Sequence, residues 1–425
     1  MTEDMQQSDT KTYVDELCRQ ARSASRQLSA LTNEQRSAAL REIASRLVEA
    51  ESLLCQRNAL DLEAGREAGL SSSLLDRLSL NPERVQGMAE GLLTVADLDD
   101  PLAGAIDRWR APSGLDIEQR RIPIGVIGMI YESRPNVTAD VTALCVKSGN
   151  AVILKGGKEA IHSNSAIAEV VTAGLHAAGV PETAVQLVQR TDRETTNELL
   201  TRDDSIDLLI PRGGPGLVRA VAERSSIPII KHYEGVCSVY VDESADLASA
   251  ADIVINAKVQ RPGVCNAIEN LLVHAEVADR LLADLTPRLQ EAGVEVRACP
   301  RAIKLIAGAT AASEDDWSTE YLDLVLAVKI IDSLDEAIEF INREGSGHSD
   351  SIISSNNDNA ERFLSLVDSA VVYSNASTRF TDGFAFGFGA EIGISTNRIH
   401  ARGPMALREL TTYKYVVRGQ GQVRD

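Results

Sequence analysis

Through the first hundred residues, apolar positions recur at helical spacing. In ALREIASRLVEAESLLCQRNALDLEAGREAG they return every three or four residues until Gly69, which predicts one long amphipathic helix. LNPERVQGMAEGLLTVADL predicts another, capped by Asn81 with Pro82 at its first position. IDRWRAPSGLDIEQRRIPIG is short and alternating around Pro112-Ser113-Gly114, so it reads as a hairpin. From Pro123 the pattern becomes strand, loop, helix, repeated. IGVIGMI, AVILKGG, AVQLVQ and IDLLIPRGG are buried-strand runs, and SNSAIAEVVTAGLHAAG and GPGLVRAVAER between them are helical. That alternation predicts a parallel sheet covered by helices. IPIIKHYEGVCSVYVD adds two short strands, and ADLASAADIVINAKVQ a helix.

A second α/β unit follows Cys265. It reads IENLLVH (strand), DRLLADLTPRLQEAG (helix), LVLAVKII (strand), LDEAIEFINREG (helix), SIISS (strand), NAERFLSLV (helix) and AVVYSN (strand). Residues 381–393, rich in Gly and Phe, are the least regular stretch, and FAFGFG there marks close backbone packing. LTTYKYVVRG reads as a strand with no partner nearby in sequence, a liability unless another chain or a hairpin covers it. With 425 residues the chain is too long for one core and long enough for two or three domains.

Composition narrows the chemistry. A net charge of −19 argues against nucleic acid or an anionic membrane surface as partner. No apolar run reaches the roughly 18 residues of a membrane span, and the acidic, polar start MTEDMQQSDTK is not a secretory signal. The cysteines are scattered without paired spacing, which points to a reducing cytoplasm and away from disulfides or zinc. The histidines show no metal spacing, and no metal is assigned. So acidic a chain repels anionic ligands. A site for them must be built from a local cluster of cations and backbone N–H groups.

Cys265 lies in KVQRPGVCNA, where Pro262 and Gly263 break the helix before it. Lys258 and Arg261, close in sequence, would favour its thiolate; the residue is equally readable as a buried structural cysteine. Cys145, mid-helix among apolar residues, is a core residue. IDLLIPRGGPG joins a strand to a helix start through glycines, an arrangement suited to anions. In AVILKGGKEA, Lys155 and Lys158 end a strand of the parallel sheet, at the edge where cofactors bind, or are simply solvated. Asn136, after Pro135 in YESRPNVTAD, is either an amide aimed at a reacting oxygen or a helix cap.

Together these segments resemble the gamma-glutamyl phosphate reductase family (glutamate-5-semialdehyde dehydrogenases) of the aldehyde dehydrogenase superfamily. The resemblance spans about residue 12 to about residue 418 and is most specific in IGVIGMIYESRPNVTAD, VQRPGVCNAIENLLVH, NASTRFTDGFAFGFGAEIGIST and HARGPMALRELTTYKY. It implies an aldehyde dehydrogenase-like α/β fold: a Rossmann-like NADP-binding domain (1–104 and 122–257), an α/β catalytic domain (258–395) and a β oligomerisation arm (105–121 and 396–425). It also implies NADPH-dependent reduction of L-glutamyl 5-phosphate to L-glutamate 5-semialdehyde and phosphate, the second step of proline biosynthesis from glutamate. Cys265 would attack the acyl phosphate, with the oxyanion held by the Asn136 amide and the Cys265 backbone N–H.

For NADP(H), the resemblance puts Lys155 at the adenosine ribose, Gly213, Gly214 and Gly216 at the pyrophosphate, and Glu320 at the nicotinamide ribose. Lys158 stands where NAD-preferring relatives carry a glutamate, so a 2′-phosphate is favoured. Ser377, Arg379 and Thr381 would hold the glutamyl carboxylate and Arg261 the departing phosphate. A homo-oligomer is implied, with glutamate 5-kinase as candidate partner.

Hydrolytic aldehyde dehydrogenases carry a water-activating glutamate in a Glu-Leu-Gly-Gly pattern. In KHYEGVCSVYVDESADL, Glu234 is displaced by about two places and lacks it. This weighs against an ordinary aldehyde dehydrogenase making a free acid. A non-catalytic relative would be expected to lose Cys265 or Asn136, and both are present.

Overall fold

The computed structural model describes residues 3–231 and 233–424. The chain forms two compact units: Met1–Lys231 with Phe388–Gly393 and Met405–Asp425, and His232–Gly387 with Ile394–Pro404.

In the first unit, four strands form a parallel sheet in the order Val185–Leu187, Ala151–Gly156, Val126–Tyr131, Leu208–Arg212. These are the four apolar runs that follow Pro123. The first two connections wind outward in one direction; the third returns to the other side of Val126–Tyr131. The strand order therefore reverses between Val126–Tyr131 and Leu208–Arg212, and the loops leaving those strands part to open a crevice. Both strands are buried almost throughout, as strands covered on both faces must be.

The helical N-terminal region differs from expectation at one point. The run that Gly69 ends is two helices, Asn33–Glu49 and Glu51–Glu67, divided at Ala50 (φ −88°, ψ 3°). No Pro or Gly marks the break. Packing imposes it, because the first helix lies along Pro82–Asp97 and Ile161–Ala177 while the second lies along Ile161–Ala177 and Ser72–Leu78. Asn81 caps Pro82–Asp97 as predicted, accepting from the Arg84 N–H at 2.8 Å.

The hairpin pairs Ala105–Arg110 with Asp116–Pro123. The orphan terminal strand, Thr411–Arg418, adds to it antiparallel, from Thr411 opposite Pro123 to Arg418 opposite Asp116. The resulting three-stranded sheet leaves Ile106, Trp109, Tyr413, Tyr415 and Val417 exposed. Of the expected arm segment 396–425, this strand pairs with the hairpin, and Gln422 donates to the Gly114 carbonyl at its turn (3.2 Å).

The second unit holds seven parallel strands in the order Thr310–Ala311, Glu295–Ala298, Val325–Ile331, Ile268–His274, Cys237–Val241, Ser349–Ile353, Val371–Ser374. Sequence periodicity missed the two short strands at the first edge. IPII makes only an isolated bridge, Leu209 to Ile229, so IPIIKHYEGVCSVYVD contributes one strand and not two. The units divide after Lys231 and not after 257 as expected. Cys237–Val241 is a central strand here, between Ile268–His274 and Ser349–Ile353, and helix Leu247–Val259 packs on the same core. Among the described residues no helix is long and apolar enough to cross a membrane.

Arg36, with 2% of its side chain exposed, is paired to Asp100 at 2.7 Å and ties helix Asn33–Glu49 to the chain entering the hairpin. Asp100→Ala leaves that guanidinium buried without its carboxylate. We expect a loss of about 1–3 kcal/mol, read as a lower urea midpoint, with Asp100→Glu recovering part of it.

Candidate active site

Helix Leu247–Val259 ends against Pro262, and strand Ile268–His274 begins six residues later. Between them a tight turn closes through the Ala267 N–H to the Val264 carbonyl (3.0 Å), with Cys265 and Asn266 at its corner. The Cys265 side chain is partly exposed. This corner is held from three directions. A β-carbon on Gly235 would sit 2.6 Å from the Cys265 Cα and closer still to its carbonyl oxygen, so only glycine permits the approach. The Cys237 thiol donates to that carbonyl at 3.2 Å. The Thr378 hydroxyl donates to the Asn266 carbonyl (2.7 Å), and the Asn266 amide donates to the Thr381 carbonyl (2.8 Å).

The last pair of contacts fastens segment 377–381 to the Cys265 turn and sets Arg379 in the field of Cys265. Burial and then the charge of Arg261 lower the Arg379 pKa, so both cations and the thiol share one locality. Arg379 Nε donates to Gln260 Oε1 at 2.9 Å, while Arg261 is exposed. Ser377 is buried, its hydroxyl accepting from the Arg379 N–H.

Two expectations change. Thr381 is fully buried, and its hydroxyl lies 2.7 Å from Ser349 Oγ and 2.8 Å from Tyr373 Oη. It satisfies interior polar groups and is not placed to contact a ligand. Lys258 does not serve the thiolate as a free cation. It is fully buried, 2.6 Å from an equally buried Glu269. Burial pushes the Glu269 carboxyl up to about 7, partly opposed by Lys258, and lowers the Lys258 pKa. The other Glu269 oxygen accepts from the Leu322 N–H at 3.4 Å, so the pair braces the loop carrying Glu320. Burial raises the Glu320 pKa; the Gly235 N–H, donated to its carboxylate, opposes this and the charge of Glu234 adds to it.

In the first unit, a cleft of about 950 Å³ lies beyond the carboxyl ends of strands Val126–Tyr131 and Ala151–Gly156. Lys155 and Lys158 line it, as do Arg193 and Arg224, which pattern alone did not single out. Lys155 is buried, its ammonium 3.1 Å from the Gly156 carbonyl, and burial lowers its pKa. Lys158 is exposed at the start of a short 3₁₀ turn. Gly214 caps helix Pro215–Arg224, and its N–H donates to Glu132 Oε2 at 3.1 Å. A β-carbon on Gly213 would strike the same carboxylate, while Gly214 and Gly216 face open space. The glycine turn thus already seats an anion, the Glu132 carboxylate.

Asn136 opens helix Asn136–Lys147 but does not cap it, since Pro135 holds that position. Its amide nitrogen donates to Asp140 Oδ2 at 2.8 Å. Among the described residues no cluster of metal-ligand side chains occurs.

The aldehyde dehydrogenase family model matches residues 3–304. The gamma-glutamyl phosphate reductase of Halothermothrix orenii is 53% identical over 407 residues, covering 96% of this chain and 97% of its own. The chain belongs to the gamma-glutamyl phosphate reductase family. Its counterpart from Clostridium novyi is 51% identical over 412 residues, covering 97% of this chain and 99% of the relative. The crystal structure of the family member from Thermotoga maritima superposes with a TM-score of 0.95 at 46% identity, covering 97% and 100% of the two chains. An acetylating aldehyde dehydrogenase from Geobacillus thermoglucosidasius shares the fold at 20% identity and a TM-score of 0.67.

Gly235 gives this site a sharp test. Gly235→Ala must push the Cys265 turn aside, and displacement near 1 Å at a reacting atom costs about a hundredfold in rate. We expect kcat to fall by about that factor with nucleotide affinity within about twofold of the parent, measured by steady-state kinetics and by nucleotide fluorescence titration.

Proposed function

We propose that this chain reduces L-glutamyl 5-phosphate to L-glutamate 5-semialdehyde and phosphate, the second step of proline biosynthesis from glutamate, with NADPH as reductant. The observation that carries the reading is a partly exposed Cys265 on a rigid turn, with Arg261 and Arg379 in its field, in a chain of this family. Two guanidiniums favour the thiolate and draw in an acyl phosphate dianion despite the chain's net charge of −19.

The thiolate attacks the acyl carbonyl carbon, the bond from that carbon to the phosphate oxygen breaks, and phosphate leaves toward Arg261. The charge developing on the carbonyl oxygen is assigned to the Asn136 amide and the Cys265 N–H. Arg379 and Ser377 take the substrate's distant carboxylate; the buried hydroxyl of Thr381 drops out of that set.

A nicotinamide dinucleotide suits the cleft of the first unit. Lys155, Lys158, Arg193 and Arg224 supply cations, and the glycine turn with its seated carboxylate is a ready place for a pyrophosphate. Glu320 is assigned to the nicotinamide ribose. When bound, the cofactor supplies the hydride that reduces the Cys265 thioester. Collapse of the hemithioacetal then frees the aldehyde and restores the thiolate.

The exposed aromatics of the hairpin sheet support assembly with further copies of the chain. Six cysteines that form no disulfide among the described residues suit a reducing cytoplasm. Glutamate 5-kinase is the candidate partner, since it would make the labile substrate.

The decisive experiment runs the reaction backwards, with glutamate semialdehyde and NADP⁺. A thioester on Cys265 needs an acceptor, and water without a positioned base is slower by about 10²–10⁴-fold. NADPH formation should saturate with added phosphate or arsenate and stop near one turnover per site without either. Sustained turnover in phosphate-free buffer would mean that a carboxylate such as Glu234 activates water, and that the chain is an ordinary aldehyde dehydrogenase. In the same assay Cys265→Ser should keep less than about a hundredth of the activity while still binding NADPH.

Cofactor choice gives a separate prediction. Lys158→Glu should shift the ratio of kcat/KM for NADPH over NADH by about five- to a hundredfold toward NADH, as expected for reversing a charge beside a partly screened phosphate. An unchanged ratio would move the preference to Arg193 or Arg224.

A further inference from the structure

Helix Asn136–Lys147 is buried from Val137 to Lys147 with one interruption, Asp140. Asp is a poor helix former, and Asp140 is partly exposed where the residues on either side of it in sequence are buried. Asp140 lies one turn beyond Asn136, on the same face, and its Oδ2 accepts from the Asn136 amide nitrogen at 2.8 Å. Burial pushes the Asp140 carboxyl up to about 6, while Asn136 and Arg212 pull it down. Arg212 ends strand Leu208–Arg212 and lies 3.9 Å from Glu391.

We propose that Asp140 is a positioning residue that sets which end of the Asn136 amide is offered to the reacting oxygen. This rests on the reading of Asn136 as oxyanion donor. A carboxamide has nearly the same shape in its two flipped orientations, yet one presents an N–H and the other a carbonyl oxygen, which would repel an oxyanion. A carboxylate can only accept. Its presence at 2.8 Å obliges the NH₂ group to face it, and that group has a second hydrogen to give. An alanine at 140 would leave the amide free to flip and to rotate, so that only part of the population offers a donor.

The test is a double-mutant cycle of Asn136→Ala, Asp140→Ala and the pair, in the phosphate-dependent reverse assay. Tm, NADPH affinity and the rate of Cys265 alkylation by iodoacetamide are followed beside it. Removing an oxyanion donor costs about 10²–10³-fold in kcat. We expect Asn136→Ala to show that loss. Asp140→Ala should lower kcat by about ten- to a hundredfold, with KM and alkylation rate within about twofold of the parent. The double variant should be no worse than Asn136→Ala alone. Asp140→Asn should fall between parent and Asp140→Ala, because its amide can accept but does not exclude the flip. The same cycle with Asn at 140 serves if the alanine variant is poorly folded. If Asp140→Ala costs the same factor with and without Asn136, or costs nothing while Asn136→Ala is severe, the positioning role is overturned and the oxyanion reading stands. If Asn136→Ala keeps full activity, the oxyanion reading fails and this inference falls with it.

Discussion

The approach of Gly235 to the Cys265 backbone is the tightest glycine contact in the second unit. Strands Cys237–Val241 and Ile268–His274 are parallel neighbours, so the chain entering one runs beside the chain entering the other. Gly235 lies two residues before the first strand and Cys265 three before the second. The two backbones meet where strand spacing leaves no room for a side chain. The contacts that shape the Cys265 turn gather around this approach: the turn closing on Val264, the Cys237 thiol under the Cys265 carbonyl, and the hydrogen bonds between Asn266 and Thr378 and Thr381. Cys265 therefore stands at the amino edge of its sheet, where hydrogen bonds and close packing hold it. The opposite edge is closed by Asp242, which accepts from Ser244, Ser354 and Asn359.

The cleft of the first unit obeys the other rule for α/β sheets. It opens at the carboxyl edge, beyond Tyr131 and Gly156, and takes in the helix that follows Leu208–Arg212. Beside it the glycine turn is held by Glu132 of the same unit, which accepts from the Gly214 N–H. The strongly acidic surface is thus compatible with anionic ligands because the cations are gathered: four line the cleft and two stand near Cys265.

The buried pair Lys258–Glu269 illustrates how local charge misleads when read by sequence distance. Lys258 lies seven residues from Cys265, yet its ammonium turns inward to a carboxylate on the neighbouring strand. Replacing either partner would strand a charge in the interior and loosen Leu322, which Glu269 also holds. Its contribution is geometric. It connects the end of the helix before Cys265 to the loop bearing Glu320.

What the amino-acid order determined alone were features whose causes lie within a few residues: the Asn81–Pro82 helix start, the hairpin at Pro112-Ser113-Gly114, the buried parallel strands, and the break at Pro262-Gly263 that frees Cys265. The long family motifs made the family legible for the same reason, since each is a continuous run of characteristic residues. What needed the tertiary structure were the features whose causes lie far along the chain. The division at Ala50 comes from helices packed on either side of it. The partner of Thr411–Arg418 lies nearly three hundred residues earlier, and periodicity carries no information about which strand it meets. The place of Cys237–Val241 in the second sheet moved the division between units to Lys231, because strand pairing and not sequence continuity decides which core a segment joins. Thr381 resembles a ligand contact until Ser349 and Tyr373 claim its hydroxyl, and Gly235 is an unremarked glycine until Cys265 is folded against it. Short-range preference chose the elements; steric exclusion and the need to satisfy buried polar groups chose their neighbours.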